Sequence, residues 1–213
     1  EVLPPVTLLQ PEEHLRDGQI APRSVLNSVG KPVPEVQVII ANDEDEALPV
    51  NAIGHVLIKS PTQFKGYLNR PDLSDKVQRG GWLHIGDIGY LDQDGMLHVL
   101  GRAPDLIRRM GNITYPRYAE EALHDHPAVK ETAFVQVGEQ AIMAVSLRQA
   151  WRTQLGQSAL ADEMLSFLAQ RVGAPDLPDH IRLLEELPRS PLGKVLRREV
   201  RQRLESEAAA TPA

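Results

Sequence analysis

Asp87 and Arg102 close the segment GWLHIGDIGYLDQDGMLHVLGR, residues 81–102. The segment reads as a β-hairpin around Asp94-Gly95, with apolar residues alternating on both arms. A two-residue Asp-Gly loop pairs positions that sum to 189 and sets Asp87 directly opposite Arg102. Their Cβ atoms would then be about 5 Å apart. A three-residue loop with a glycine bulge slips the pairing by one and loosens that geometry. In both cases a carboxylate and a guanidinium share one edge. An ordinary surface ion pair, worth under about 1 kcal/mol, is the simpler use of such a pair. Asp92, Asp94 and Gly95 imitate part of a calcium loop. Aligning Gly95 with the invariant loop glycine puts Tyr90 and Gly101 at the first and last ligand positions, and neither brings a carboxylate.

A third charged group stands in PRSPLGK, residues 188–194. Two prolines stiffen the approach, Gly193 permits close backbone contact, and Lys194 is set to project at the start of the last helix. Free N–H groups there favour a phosphate or carboxylate. An ordinary loop lysine is the competing reading. Arg197, Arg198, Arg201 and Arg203 follow. Without interleaved aromatic platforms they read as a solvated basic face rather than a nucleic-acid surface.

Composition narrows the classes. The chain has 213 residues, 42% hydrophobic and 4% aromatic, with net charge −6. The acidic balance argues against nucleic acid as a bulk partner. With no cysteine, disulfides, a thiolate nucleophile and a zinc–thiolate site are excluded, which suits a reducing compartment. No apolar run approaches the roughly 20 residues of a membrane helix. The chain opens on Glu1 rather than Met and is expected to be cut from something longer.

The elements that would hold these groups divide in two. Residues 1–35 are proline-rich and polar. Strands are expected at Val36–Ile40 and His55–Lys59, with Gly66-Tyr67 and Arg70-Pro71 punctuating the loop before the hairpin. After Arg102, Pro116 should open a helix that Pro127 stops. Val129–Val137 and Ala141–Leu147 form a hairpin through Gly138-Glu139-Gln140. Ser158 should cap a helix with the face Leu160, Met164, Leu165, Leu168 and Val172, ending at Gly173. Ile181–Leu184 reads as a strand and Val195–Leu204 as a basic helix. The expected fold class is α+β: a β-rich, barrel-like subdomain over 1–101, a small α+β domain over 102–205, and a disordered tail over 206–213.

Taken together these segments resemble the adenylate-forming superfamily of acyl- and aryl-CoA synthetases, peptide-synthetase adenylation domains and luciferases. Gly30-Lys31-Pro32-Val33-Pro34 is similar to its G-K-P-x-P turn, and Gly66-Tyr67 with Arg70-Pro71 to its G-Y-x-x-x-P loop. Residues 81–102 are similar to its G-W-x-x-T-G-D … D-x-D-G … G-R signature. Asp105, Gly111, Pro116 and Glu120 match the stretch after the arginine, and residues 188–194 its P-x-T-x-x-G-K ending. Glu1 would be the last residue of its Tyr-Gly-x-Thr-Glu motif, which makes the chain the C-terminal part of a longer protein.

The resemblance implies an ATP-dependent ligase. A carboxylic or fatty acid is converted to an acyl-adenylate, then passed to CoA or to the phosphopantetheine thiol of an acyl carrier protein. Asp87 and Arg102 would hold the ribose, and Lys194 would stabilise charge between the attacking carboxylate and the α-phosphate. Glu1 would help hold Mg²⁺. Pro104 or Asp105 would be the hinge of the mobile small domain, and the Gly111 region would reach the thiol channel. The implied partners are the missing N-terminal domain, the acid and the thiol acceptor, with no nucleic acid and no membrane span; the implied location is the cytoplasm. Three positions depart from the pattern: Ile85 replaces a hydroxyl residue, Tyr118 a glutamate, and Pro104 a hinge Asp or Lys. Proline fixes φ and restricts Ala103. Adenylation without thioester formation, or a degenerate partner-binding module, are the alternatives these departures motivate.

Overall fold

The computed structural model describes residues 1–109, 111–152 and 156–210. The chain is α+β and divides into two compact units, Glu1–Pro104 and Asp105–Ala213.

The first unit is built on a curled sheet. Its strands are β1 (Gln37–Ala41), β2 (Gly54–Lys59), β3 (Gln78–Arg79), β4 (Trp82–Leu91) and β5 (Leu97–Arg102). They run in the order β1-β2-β4-β3, and β5 also pairs with β4. β4 serves neighbours along both halves, and its register against β2 shifts around Gly86, whose φ is +78°. Val38, Ile40, Val56, Ile58 and Leu97 form the core beneath it. Their period of two along β1 and β2 puts them on one face of the sheet, while Leu57, between Val56 and Ile58, is buried on the other. Before this sheet, Thr7–Leu8 pairs with Lys31–Pro32. Pro71 opens a short helix, α1 (Pro71–Val77), in a stretch expected to be loop. Proline costs a helix nothing at its first position, where the N–H has no partner anyway.

The second unit is a three-stranded sheet with helices on both faces. β6 (Ile107–Arg109) and β7 (Asn112–Thr114) make a small hairpin, followed by α2 (Pro116–His124). The main sheet contains β8 (Val129–Val137), β9 (Gln140–Leu147) and β10 (His180–Leu184), in that order, with β10 parallel to β9. α3 (Gln157–Ala169) and α4 (Arg197–Ala210) complete the unit. The alternation along β9 is strict: Ala141, Met143, Val145 and Leu147 enter one core, Ile142 and Ala144 the other. Both faces of this sheet are covered, so its central strand β9 is buried without a break from Ala141 to Leu147. Leu160, Met164 and Leu168 seal the first core from α3 at helical spacing. Each such buried side chain contributes about 1.5–3 kcal/mol. Val200 and Leu204 seal the second core from α4.

Several element limits differ from expectation. Ser158 lies inside α3, whose N-cap is Gly156. That helix ends at Ala169, and Gly173 instead precedes a 3₁₀ turn, Ala174–Asp176. α4 starts at Arg197 rather than Val195, because Val195 is bridged to Arg189 in extended pairing. It runs to Ala210 through the span expected as a tail; glutamate and alanine are good helix formers, so propensity extends it. Residues 211–213 of the expected tail lie outside the described residues.

Candidate active site

The carboxylate and guanidinium meet across the β4–β5 hairpin. Asp87 is the register partner of Arg102, and Arg102 Nε lies 3.2 Å from Asp87 Oδ1. The route to that pairing is less direct than a two-residue turn. Leu91 pairs with Leu97, Tyr90 with His98 and Gly89 with Val99, all one step out of the register that joins Asp87 to Arg102. A bulge at Leu100 restores the offset, since Ile88 pairs with Gly101. The turn itself is built by Asp92. Its Oδ1 accepts from the backbone N–H of Asp94 and Met96, and its Oδ2 contacts His98 Nε2 at 2.9 Å. Burial opposes ionisation of Asp92, but His98 and these amides outweigh it and hold the carboxyl below its usual range.

Asp87 is mostly covered, while Arg102 is 62% exposed. An ion pair that open contributes little to stability. Its position is set by the ladder and by Gly86: a Cβ there would come 3.2 Å from Arg102 Nη2. The arrangement leaves a guanidinium and a carboxylate at the hairpin's open end, able to donate to and accept from a polyol such as a ribose.

Glu1 is tied to the Gly66-Tyr67 loop. Tyr67 Oη donates to Glu1 Oε1, and Phe64 N–H to the Glu1 carbonyl. Tyr67 N–H in turn donates to Ser74 Oγ at 2.8 Å, which fastens the loop to α1. The hydrogen bond to Glu1 raises the Tyr67 phenol above its ordinary value. Among the described residues no three or more His, Asp or Glu side chains gather into a metal cage. A single carboxylate does suit Mg²⁺, which is commonly held by one or two carboxylates together with substrate phosphates.

In the second unit, Lys194 is exposed on a short turn. Arg189 and Val195 form a backbone bridge. Ser190 N–H donates to the Lys194 carbonyl at 2.8 Å, and Lys194 N–H to Ser190 Oγ at 3.2 Å. Lys194 therefore sits on a bridged turn ahead of α4, not on the helix N-terminus. Arg197, read from sequence as part of a solvated face, is largely buried and paired. It contacts both Glu120 oxygens at 2.7 Å, donates to the Phe134 carbonyl at 2.9 Å, and lies 3.9 Å from Asp105. Glu120 also accepts from Phe134 N–H at 2.6 Å. Burial opposes the charge on Arg197, but Glu120 and Asp105 prevail and strengthen it. α2, α4 and β8 are thus knotted immediately beside the lysine turn.

Pro104 and Asp105 lie in a 3₁₀ turn, Ala103–Asp105, at the boundary of the two units. Gly111 turns the β6–β7 hairpin at φ +75°. That hairpin is pinned to the main sheet. Arg109 Nη1 donates to Asp179 at 2.6 Å, Arg108 N–H to Gln136 at 2.9 Å, and Thr114 Oγ1 to the Pro175 carbonyl. A cleft of about 330 Å³, lined by Arg108, Arg109, Gln136, Glu139 and Asp179, lies beside it. Burial raises the carboxyl of the neighbouring Asp176, which Arg109 only partly offsets.

Residues 118–194 match the family described as AMP-binding enzyme C-terminal domain. The chain belongs to the AMP-binding, adenylate-forming enzymes. It is 37% identical over 180 residues to a 2-succinylbenzoate–CoA ligase of Bacillus mycoides, covering 84% of this chain and 37% of that protein. It is 32% identical to a long-chain-fatty-acid–CoA ligase of Escherichia coli over 82% of this chain and 31% of that one. Among solved structures it is similar to an amide bond synthetase from Marinactinospora thermotolerans, with TM-score 0.77, 31% identity, and 86% of this chain and 37% of the other covered. An o-succinylbenzoate CoA synthetase from Bacillus subtilis in complex with its acyl-adenylate gives TM-score 0.76 at 28% identity, covering 92% and 38%. The chain therefore spans between 31% and 38% of these relatives' length.

What sequence reasoning missed are the pairings that act at long range. Arg197–Glu120, Arg109–Asp179 and Tyr67–Glu1 each join positions at least 66 apart, and no local pattern marks such pairs.

Proposed function

We propose that this chain is the C-terminal part of an ATP-dependent ligase that converts a carboxylic acid to its acyl-adenylate and passes the acyl group to CoA or to a carrier-protein thiol. A carboxylate oxygen attacks the α-phosphorus of ATP as MgATP, the bond to pyrophosphate breaks, and pyrophosphate leaves. The thiol then attacks the acyl carbon and AMP departs. Asp87 and Arg102 hold the ribose hydroxyls, and Glu1 would help hold Mg²⁺, which would neutralise phosphate charge. Lys194 stabilises the charge that gathers as two anions approach. The turn at Pro104-Asp105 serves as hinge, and the Gly111 hairpin approaches the thiol.

The observation that carries this reading is Asp87 facing Arg102 at 3.2 Å on a hairpin whose ladder, not the ion pair, sets the geometry. The relatives' names, CoA ligases for a succinylbenzoate and for long-chain fatty acids, support the reaction class. This chain covers 37% of the first of those ligases, which supports a further domain in the intact protein. Among the described residues no helix is long and apolar enough to cross a membrane. A cofactor set of ATP and CoA, with no cysteine in the chain, suits a cytoplasmic enzyme.

The test is ATP–pyrophosphate exchange by the full-length protein with a panel of aryl and alkyl carboxylic acids. Exchange with none of them sinks the reading. Pro104 in its 3₁₀ turn favours a second reading, adenylation without thioester formation. Similarity to an amide bond synthetase leaves the acceptor open in the same way. Normal acyl-CoA turnover that Pro104→Asp leaves unchanged would rule this second reading out.

A further inference from the structure

The turn that presents Lys194 has two feet and one strut. Leu187, 4% exposed, and Val195 stand in the core between the main sheet and α4. Between these feet the chain leaves the core, reverses at Ser190–Gly193 with Gly193 at φ +82°, and carries Lys194 on its outer side. The turn's own hydrogen bonds fix its shape. They do not fix its tilt relative to the sheet.

Arg189 supplies that second constraint. Its Nη1 donates to the Gly193 carbonyl, immediately before Lys194. Its Nη2 pairs with Glu131 Oε1 on β8. Glu131 is well anchored: its side chain is 12% exposed, Ser146 Oγ on β9 donates to its other oxygen at 3.2 Å, and Lys130 Nζ lies 4.0 Å away. It follows the irregularity between Val129 and Glu131, where the strand register shifts. A bulge re-aims a side chain out of the regular ladder. One guanidinium therefore grips the tip of the turn with one nitrogen and the sheet with another, a planar fork that lysine cannot reproduce.

We infer that Arg189 is a positioning residue for Lys194, holding the lysine turn at a fixed tilt by bridging the Gly193 carbonyl to Glu131. The inference rests on the role proposed above for Lys194. Adenylation needs the ammonium at one point between two anions, so a turn free to rock about Leu187 and Val195 loses rate and not substrate affinity. A misplacement of about 1 Å can cost on the order of a hundredfold. Transfer of a preformed acyl-adenylate to the thiol does not call on Lys194 and is indifferent to the strut.

The experiment compares Arg189→Ala, Arg189→Lys and Lys194→Ala in the full-length protein. The readouts are ATP–pyrophosphate exchange with the best acid of the panel and, separately, thioester formation from the matching synthetic acyl-adenylate and CoA. Arg189→Ala is expected to lower kcat for exchange by roughly tenfold to a hundredfold, with KM for ATP and the thioester step within about twofold of wild type. Arg189→Lys, which keeps Glu131 and loses Gly193, should fall between the two. Equal losses in both half-reactions would make Arg189 a merely structural residue and overturn the inference. So would wild-type exchange by Arg189→Ala alongside a crippled Lys194→Ala. Wild-type exchange by Lys194→Ala overturns the lysine assignment itself, and the positioning role with it.

Discussion

The Asp87–Arg102 hairpin and the Lys194 turn are positioned by opposite means. The hairpin is local: two adjacent strands, a turn closed by Asp92 and a bulge at Leu100 bring the pair together within residues 81–102. The lysine turn depends on single side chains reaching from afar, Arg189 to Glu131 and Arg197 to Glu120. A ladder spreads its constraint over many backbone bonds. A strut concentrates it in one guanidinium. Substitutions should therefore act sharply around Lys194 and be absorbed around Asp87, except where the backbone itself is forced.

The strongest way to test that contrast is Lys194→Ala. It removes the group that meets developing charge, so exchange should fall on the order of 10²–10³-fold, the range for loss of one transition-state donor. Because the lysine is exposed, the melting transition should not move. Unchanged exchange would dissolve the comparison at its centre.

Glu120→Ala attacks the long-range half through stability. It leaves the Arg197 charge, mostly covered, with the Phe134 carbonyl and the more distant Asp105 but no close carboxylate. Breaking such a pair from one side costs about 3 kcal/mol or more, readable as a lower urea midpoint. A loss under about 1 kcal/mol would mean that water replaces Glu120 cheaply and that the knot is not what seats α4. The double change Glu120→Leu with Arg197→Met should recover much of the loss, since well-packed apolar pairs often match buried ion pairs.

What was legible from sequence follows the same division. That Asp87 faces Arg102 could be read from the hairpin, because paired positions within one turn obey simple arithmetic. The arithmetic held for a compound reason: the turn slips the register and the bulge at Leu100 slips it back. Neither step leaves a mark in residue types beyond Gly95. Around Lys194, local reading misplaced the lysine at a helix start and Arg197 in solvent. Val195 is drawn into a bridge with Arg189, and Arg197 is claimed by a glutamate 77 positions away. The helices and strands of the second unit were visible because periodicity is local; the bonds that orient its loops are not.

Gly86→Ala forces the backbone in the local half. At φ +78° a Cβ is strained, and it would also meet Arg102 Nη2 at 3.2 Å. The left-handed conformation alone costs about 1–2 kcal/mol. The Arg102 guanidinium must also give way by a small amount, which loosens its contact with Asp87, so KM for ATP should rise by less than the loss of a whole charged hydrogen bond would cause. Binding as in wild type would show that the ladder repositions Arg102 without help from the glycine.

The smallest expected effect concerns the turn that begins the slipped register. Asp92 has a carboxyl pKa below its ordinary 3.8 in the folded protein, where it meets His98 and two amides. A depressed folded pKa stabilises above the unfolded value, and that contribution disappears as pH falls through the folded one. Asp92→Asn should then cost about 1 kcal/mol near neutral pH, measured by urea unfolding. The gap between variant and wild type should close in acid, below the ordinary 3.8. A gap that persists there would mean that the turn depends on the oxygen atoms of residue 92 and not on their charge. The hairpin's register would then rest on short-range hydrogen bonds from residue 92 to the backbone of its own turn, and the contrast with the lysine turn, held by charged side chains from distant strands, would be sharper still.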